Sequence, residues 1–197
     1  MTDIQAKKSE LRRALRSRWK TVTDRERTEL SALAVELMRN RPEWKQARKV
    51  MLFAPLPDEL DIRPLITDAL NSNRLVALPR FNHEQDMYEA AVVADSTTDL
   101  IPGFKGIIEP DPKCPTVPLA EFDLVLVPGL GFDSTGARLG RGKGYYDRIL
   151  VDVRGKRCGV AMDWQVVQAI PVSGHDIKVD FILTPTRWIE CGTIAVG

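Results

Sequence analysis

Between residues 50 and 183 the chain is punctuated by short apolar runs, each closed by a turn signal. This texture restricts the fold more than any other feature of the sequence. Residues 50–53 run into Ala54-Pro55, residues 75–78 into Pro79, and residues 124–127 into Pro128-Gly129; residues 88–93, 159–162 and 181–183 are similar. Near-continuous apolar runs of this length suit strands covered on both faces, whereas half-exposed strands would alternate. Helices over residues 62–70 and 145–151 would supply the cover. The alternation predicts an α/β fold, a mainly parallel sheet flanked by helices. In such sheets ligands gather at the carboxyl ends of strands, which selects the segments after Phe53, Leu78 and Val127.

Two helices precede this region. The first covers residues 4–19, with Leu11, Ala14, Leu15 and Trp19 at helical spacing. The second opens with a capping box, Thr23 and Glu26, and carries the stripe Leu30, Leu33, Ala34, Leu37 and Met38. Residues 101–119, rich in Pro and Gly, read as a long ordered loop. A length of 197 residues suits one domain over residues 1–197, its core spanning about residues 8–190. The formal net charge of +1 supplies no bulk field for a nucleic acid or an anionic membrane. Three cysteines, far apart, show no ligand spacing. The start of the chain is charged where a signal peptide needs an apolar core, and no apolar run reaches spanning length. The expectation is a cytoplasmic, monomeric protein without nucleic-acid or membrane partners.

The richest stretch is residues 127–147, VPGLGFDSTGARLGRGKGYYD. A buried strand exits into a loop with glycines at 136, 140, 142 and 144, interleaved with Arg138, Arg141 and Lys143. Glycines let backbone N–H groups surround an anion, and the cations add charge-assisted bonds to phosphate oxygens. A helix starting near Gly144 would aim its positive end at the same place. Composition alone fits a solvated surface loop as well. The spacing fits neither common phosphate motif: Ala137 and Gly144 break a Walker A loop, and Tyr145 stands where a dinucleotide fingerprint needs glycine. His83 and His175 read as loop residues, because neither has a second ligand at metal spacing. The four tryptophans read as packing residues.

The string Arg-Leu-Gly-Arg-Gly-Lys-Gly-Tyr-Tyr-Asp over residues 138–147, after Pro128-Gly-Leu-Gly-Phe-Asp133, resembles the signature of 5-formyltetrahydrofolate cyclo-ligases. Further likenesses are Lys8 and Arg12 four apart on one helix, Glu59 after the first strand, and Ala77-Leu-Pro-Arg80. Gly106-Ile-Ile-Glu-Pro110, Asp163-x-Gln165, His175-Asp176 and Asp180-Phe-Ile-Leu-Thr184 extend the match to about residues 8–184. Where that family often has an aromatic before the glycine, this chain has Lys105, with Phe104 one place earlier.

The resemblance implies ATP as co-substrate, Mg²⁺ as cofactor and a reduced formyl-folate as substrate, joined through an N5-iminium phosphate. It assigns ATP to Lys8, Arg12 and residues 138–146: Arg138, Leu139, Gly140, Arg141, Gly142, Lys143, Gly144, Tyr145 and Tyr146. Lys143 and Arg141 would act in phosphoryl transfer, and Asp147 would bind the metal. Ala54, Glu59 and Tyr145 would line the folate site, Tyr146 would pack, and Asp58 reads as a turn residue. Without the resemblance, Lys8, Arg12 and Arg16 read as a solvated helix face. Two other classes remain in view: a phosphate-binding isomerase or acyl-transferase with Glu59 or Asp133 as its reactive carboxylate, and a nucleotide- or RNA-binding protein.

Overall fold

The computed structural model describes residues 3–174 and 176–192. Helices α1 (Asp3–Trp19), α2 (Asp24–Arg39) and α3 (Pro42–Gln46) lead into strand β1 (Lys49–Met51). Helix α4 (Arg63–Asn71), strands β2 (Leu75–Asn82) and β3 (Met87–Val93), and the short strands β4 (Leu100–Pro102) and β5 (Ile108–Pro110) follow. Next come β6 (Leu124–Pro128), β7 (Gly131–Asp133), β8 (Arg138–Leu139) and helix α5 (Tyr145–Leu150). Strands β9 (Lys156–Val160), β10 (Val166–Val167), β11 (Phe181–Leu183) and β12 (Trp188–Glu190) complete the described chain.

Seven strands form one sheet in the order β12-β11-β9-β6-β1-β2-β3. The inner junctions are parallel; β3 and β12 close the two edges antiparallel. The apolar runs explain this directly. Val50, Val76, Leu78, Leu124 and Leu126 enter one core, with Ala34, Val35 and Met38 of α2 and Leu65, Ile66 and Ala69 of α4. The alternate residues Met51, Ala77, Val125 and Val127 enter a second core with Ile149 and Leu150 of α5. Successive side chains point to opposite faces, so burial on both sides demands an unbroken apolar run. Each Leu or Ile hidden this fully contributes about 1.5–3 kcal/mol. The capping box of α2 is formed, with Thr23 Oγ1 accepting from the Glu26 N–H and the Glu26 carboxylate accepting from the Thr23 N–H.

The structure departs from the sequence reading within residues 101–119. Part of this expected loop is a two-stranded antiparallel ribbon, β4 with β5, around a 3-10 turn at Phe104–Gly106. Three-residue strands flanked by Pro and Gly are too short to show a period. A second small sheet, β10-β7-β8, lies under α1, where Leu15 packs on Leu130, Ala137, Leu139 and Ile170. Since β1 connects to β2 on one side and β6 flanks it on the other, the strand order reverses beside β1. Such a switch point opens a crevice at the carboxyl ends of β1 and β6.

Candidate active site

A cavity of about 370 Å³ occupies that crevice. Phe53 and Ala54 line it from the end of β1, Pro79 from β2, and Pro128 and Gly129 from the end of β6. Lys8 and Arg12 of α1, Glu59, the loop residues Arg138, Leu139, Gly140, Arg141, Gly142, Lys143 and Gly144, and Tyr145, Tyr146 and Asp147 form the rest of the wall with Ser173 and Asp176. Every residue singled out in the sequence as a ligand candidate therefore faces one space. The strand-end rule selected the segments that meet here, and the family resemblance of residues 138–147 named one wall.

Glycine is required in that string for its backbone. Gly142 has φ +108° and Gly144 φ +66°, conformations that side-chain-bearing residues rarely adopt. A Cβ on Gly142 would meet Arg12 only at 3.6 Å, so the constraint there is φ and not space. Helix α1 pins the loop: Arg12 Nε donates to the Gly140 carbonyl at 2.9 Å and Arg16 Nη2 to the Arg141 carbonyl at 3.4 Å. Helix α5 has only six residues and no side-chain cap. It begins at Tyr145 behind Gly144, as expected, and both line the cavity beside the cations.

Those cations differ in burial: Lys8 and Arg138 are buried, Arg12 is half-buried, and Arg141 and Lys143 are exposed. Lys8 is 4% exposed, and its Nζ donates to Asp176 Oδ2 at 2.5 Å. Burial opposes charge on Asp176, but Lys8 and the Ser173 N–H together hold its carboxyl below the ordinary value. Burial, reinforced by nearby Arg16, lowers the Arg12 pKa. Arg141 reaches across the cavity mouth, donating to both oxygens of Asp58 at 3.0 and 2.5 Å and to Glu59 Oε1 at 2.9 Å. Asp58 is thus an ion-pair partner as well as a turn residue. Glu59 is nearly buried, its Oε2 accepting from the Leu56 N–H at 2.9 Å. Burial pushes the Glu59 carboxyl up, and Arg141 only partly offsets this. Lys143 is exposed at the mouth.

Arg138 is buried; its Nη2 donates to Asp147 Oδ1 at 2.8 Å and its Nη1 to the Pro128 carbonyl at 3.3 Å. Among the described residues no three His, Cys, Asp or Glu side chains are gathered as a cation cage. Asp147, expected to hold the metal, lines the cavity with its Oδ1 accepting from Arg138. His175 lies outside the described residues, and His83 packs edge-on against Phe81 and Phe104.

Part of the wall is aromatic. Phe104 stacks on Phe81 at 4.0 Å, and Tyr145 meets Phe81 and Tyr88 edge-on at 5.5 and 5.3 Å. Phe104 lines the cavity and so supplies an aromatic face beside position 105. Both Tyr145 and Tyr146 line the space, and burial pushes the Tyr146 phenol well above its usual range.

Several polar residues of the sequence matches act as scaffold. Asp133 accepts from the N–H groups of Thr135, Ala137 and Ile170 and from the Thr135 hydroxyl. A carboxylate so occupied is unsuited to act as a base, which removes one support for an isomerase reading. Gln165 donates to the Leu130 carbonyl at 2.9 Å and accepts from the Met162 N–H. Glu109 receives the N–H groups of Phe81 and Phe104, and Arg80 holds Glu89 and the carbonyls of Asp111 and Cys114. The tryptophans pack, as in the edge contact of Trp19 with Trp164 at 5.5 Å.

Comparison with known proteins agrees with this fold. The 5-formyltetrahydrofolate cyclo-ligase of Mus musculus is 28% identical over 191 residues, spanning 91% of this chain and 94% of its own. That of Escherichia coli K12 is 29% identical, spanning 88% of this chain and 97% of its own. The NMR structure of Aquifex aeolicus 5,10-methenyltetrahydrofolate synthetase superimposes with a TM-score of 0.84 at 34% identity, covering 93% of this chain and 92% of the other. With residues 4–185 matching the family's model from α1 to the strand-end threonine, the chain belongs to the 5-formyltetrahydrofolate cyclo-ligase family.

Proposed function

We propose that this protein closes 5-formyltetrahydrofolate to 5,10-methenyltetrahydrofolate at the expense of ATP. The carrying observation is that one cavity joins a cationic, glycine-rich wall to an aromatic wall beside a buried carboxylate. The first suits a triphosphate and the second a flat heterocycle.

A formamide carbon is a poor electrophile, and its oxygen would have to leave as hydroxide. Attack of the formyl oxygen on the γ-phosphorus, with ADP leaving, gives an N5-iminium phosphate. The N10 lone pair then forms the new C–N bond, N10 loses its proton, and the C–O bond breaks to release phosphate. The protein's tasks are positioning and charge neutralisation. Lys8, Arg12, Arg138, Arg141 and Lys143 would hold the phosphates, with Lys143 and Arg141 following the transferring group. The Leu139–Gly144 backbone would close around it beside Tyr145 and Tyr146. Glu59 would accept N–H groups of the pterin, with Ala54 and Tyr145 flanking it. Asp147 would hold Mg²⁺, which spreads charge over the β- and γ-phosphates when bound. No helix among the described residues is long and apolar enough to cross a membrane, and a cytoplasmic, monomeric enzyme is our reading.

The test follows methenyl-folate absorbance and phosphate release together. One phosphate per methenyl product, with ATP hydrolysis dependent on formyl-folate, supports the reading. ATP hydrolysis without formyl-folate dependence, or no product, refutes it.

A further inference from the structure

We propose that Arg27, on the outer helix α2, is a positioning residue for Glu59 and thereby sets affinity for the folate without touching it. The inference rests on the reading of Glu59 as the folate-binding carboxylate.

Residues 56–59 form a tight turn, with the Glu59 N–H donating to the Leu56 carbonyl at 3.0 Å and Glu59 Oε2 accepting from the Leu56 N–H at 2.9 Å. The direction of the Glu59 side chain is therefore fixed by the turn that carries it. Arg27 grips that turn from behind. Its Nε donates to the Glu59 carbonyl at 2.7 Å and its Nη2 to the Leu56 carbonyl at 3.3 Å. One planar fork thus spans the first and last residues of the turn, a geometry that a single ammonium cannot reproduce. One turn further along α2, Ser31 Oγ donates to the Arg27 carbonyl at 2.6 Å and accepts from the Asp61 N–H at 2.8 Å. Arg27 and Ser31 together fasten both arms of the loop to the helix. Arg27 is not among the residues lining the cavity.

Misplacing a ligand-binding carboxylate by a fraction of an ångström weakens recognition of the group it serves, while Lys8, Arg12 and Arg138 of the phosphate wall keep partners outside the turn. Arg27→Met keeps the stem and removes the fork. Relative to wild type, it should raise KM for 5-formyltetrahydrofolate about tenfold, while KM for ATP stays within about twofold. Arg27→Lys, which can serve one carbonyl, should fall between, at about threefold. In a Glu59→Gln background, Arg27→Met should add less than about twofold, because both changes act through one carboxylate. Unchanged folate KM in both variants, equal rises in both KM values, or a full additional tenfold loss in the Glu59→Gln background overturns the proposal. Should Arg27→Met fail to fold, Arg27→Lys carries the same comparison. Absence of formyl-folate-dependent turnover in the wild type overturns the functional reading as well, whereas wild-type turnover with unmoved constants in the variants overturns this inference alone.

Discussion

Lys8→Met separates two roles of one ammonium, the ion pair with Asp176 and the proposed phosphate contact. The side chain is 5% exposed and its partner Asp176 17% exposed, the two meeting at 2.5 Å. Removing one partner of a buried pair costs about 3–5 kcal/mol when the remaining charge is left uncompensated. Asp176 would keep the Ser173 N–H at 2.6 Å and the Ser173 hydroxyl at 3.1 Å, and its residual exposure admits water. The loss should therefore sit lower, at about 2–3 kcal/mol. For a chain of this size that lowers Tm by roughly 4–12 °C. A double variant, Lys8→Met with Asp176→Asn, leaves no orphaned charge and keeps an acceptor for Ser173, so it should regain most of the stability. If Lys8 also contacts a phosphate, KM for ATP should rise about tenfold or more in both variants. Thermal melts and steady-state kinetics on the two proteins decide the matter. An equally low Tm in the double variant would refute the orphaned-charge account, and wild-type KM for ATP in the stable double variant would refute the phosphate role.

Lys143→Met, at an exposed loop position, should leave Tm within about 1 °C yet lower kcat about a hundredfold; equal turnover would remove the loop from the transfer step. Glu59→Gln should raise KM for the formyl-folate while sparing nucleotide affinity, measured by equilibrium titration; the opposite split would exchange the two sites. Burial opposes charge on Asp163, but bonds from Thr184, Arg187 and Thr186 hold its carboxyl below the ordinary value. A depressed folded pKa stabilises above the unfolded value of about 4 and is lost as pH falls through the folded value. Asp163→Asn should thus cost about 1 kcal/mol at pH 7, with the gap to wild type closing below about pH 4; a gap unchanged at pH 3 would point to shape and not charge.

The sheet was legible because burial on both faces leaves an unbroken apolar run, as at residues 124–127, and each such run pairs in the expected sheet. The antiparallel edges were not, since β3 and β12 differ from their parallel neighbours in partner geometry and not in composition. The cavity wall was legible at Gly142 and Gly144, whose positive φ only glycine holds easily. What the spacing could not show was pairing. Nothing near Lys8 in sequence announces Asp176, and nothing near Arg141 announces that Asp58 shares it with Glu59. Asp133, Gln165 and Glu109 look like chemistry in a string of letters. In three dimensions they are occupied by backbone groups.

The bond between Lys8 and Asp176 joins positions 168 apart, and Arg12 reaches Gly140 across 128. During synthesis at about 5–20 residues per second, some 8–34 s separate the making of the two ends of that first bond. For that interval Lys8 lacks the carboxylate that it meets in the folded chain. Strands β1, β2 and β6 are already available to pair, so the core can begin to form before the cationic wall of the cavity is complete. Chains halted short of residue 176 would carry a sheet and an aromatic wall but an unfinished anion site. The proposed triphosphate site is therefore completed late on the ribosome, by the last segments to emerge and not by the first helix that carries the charges.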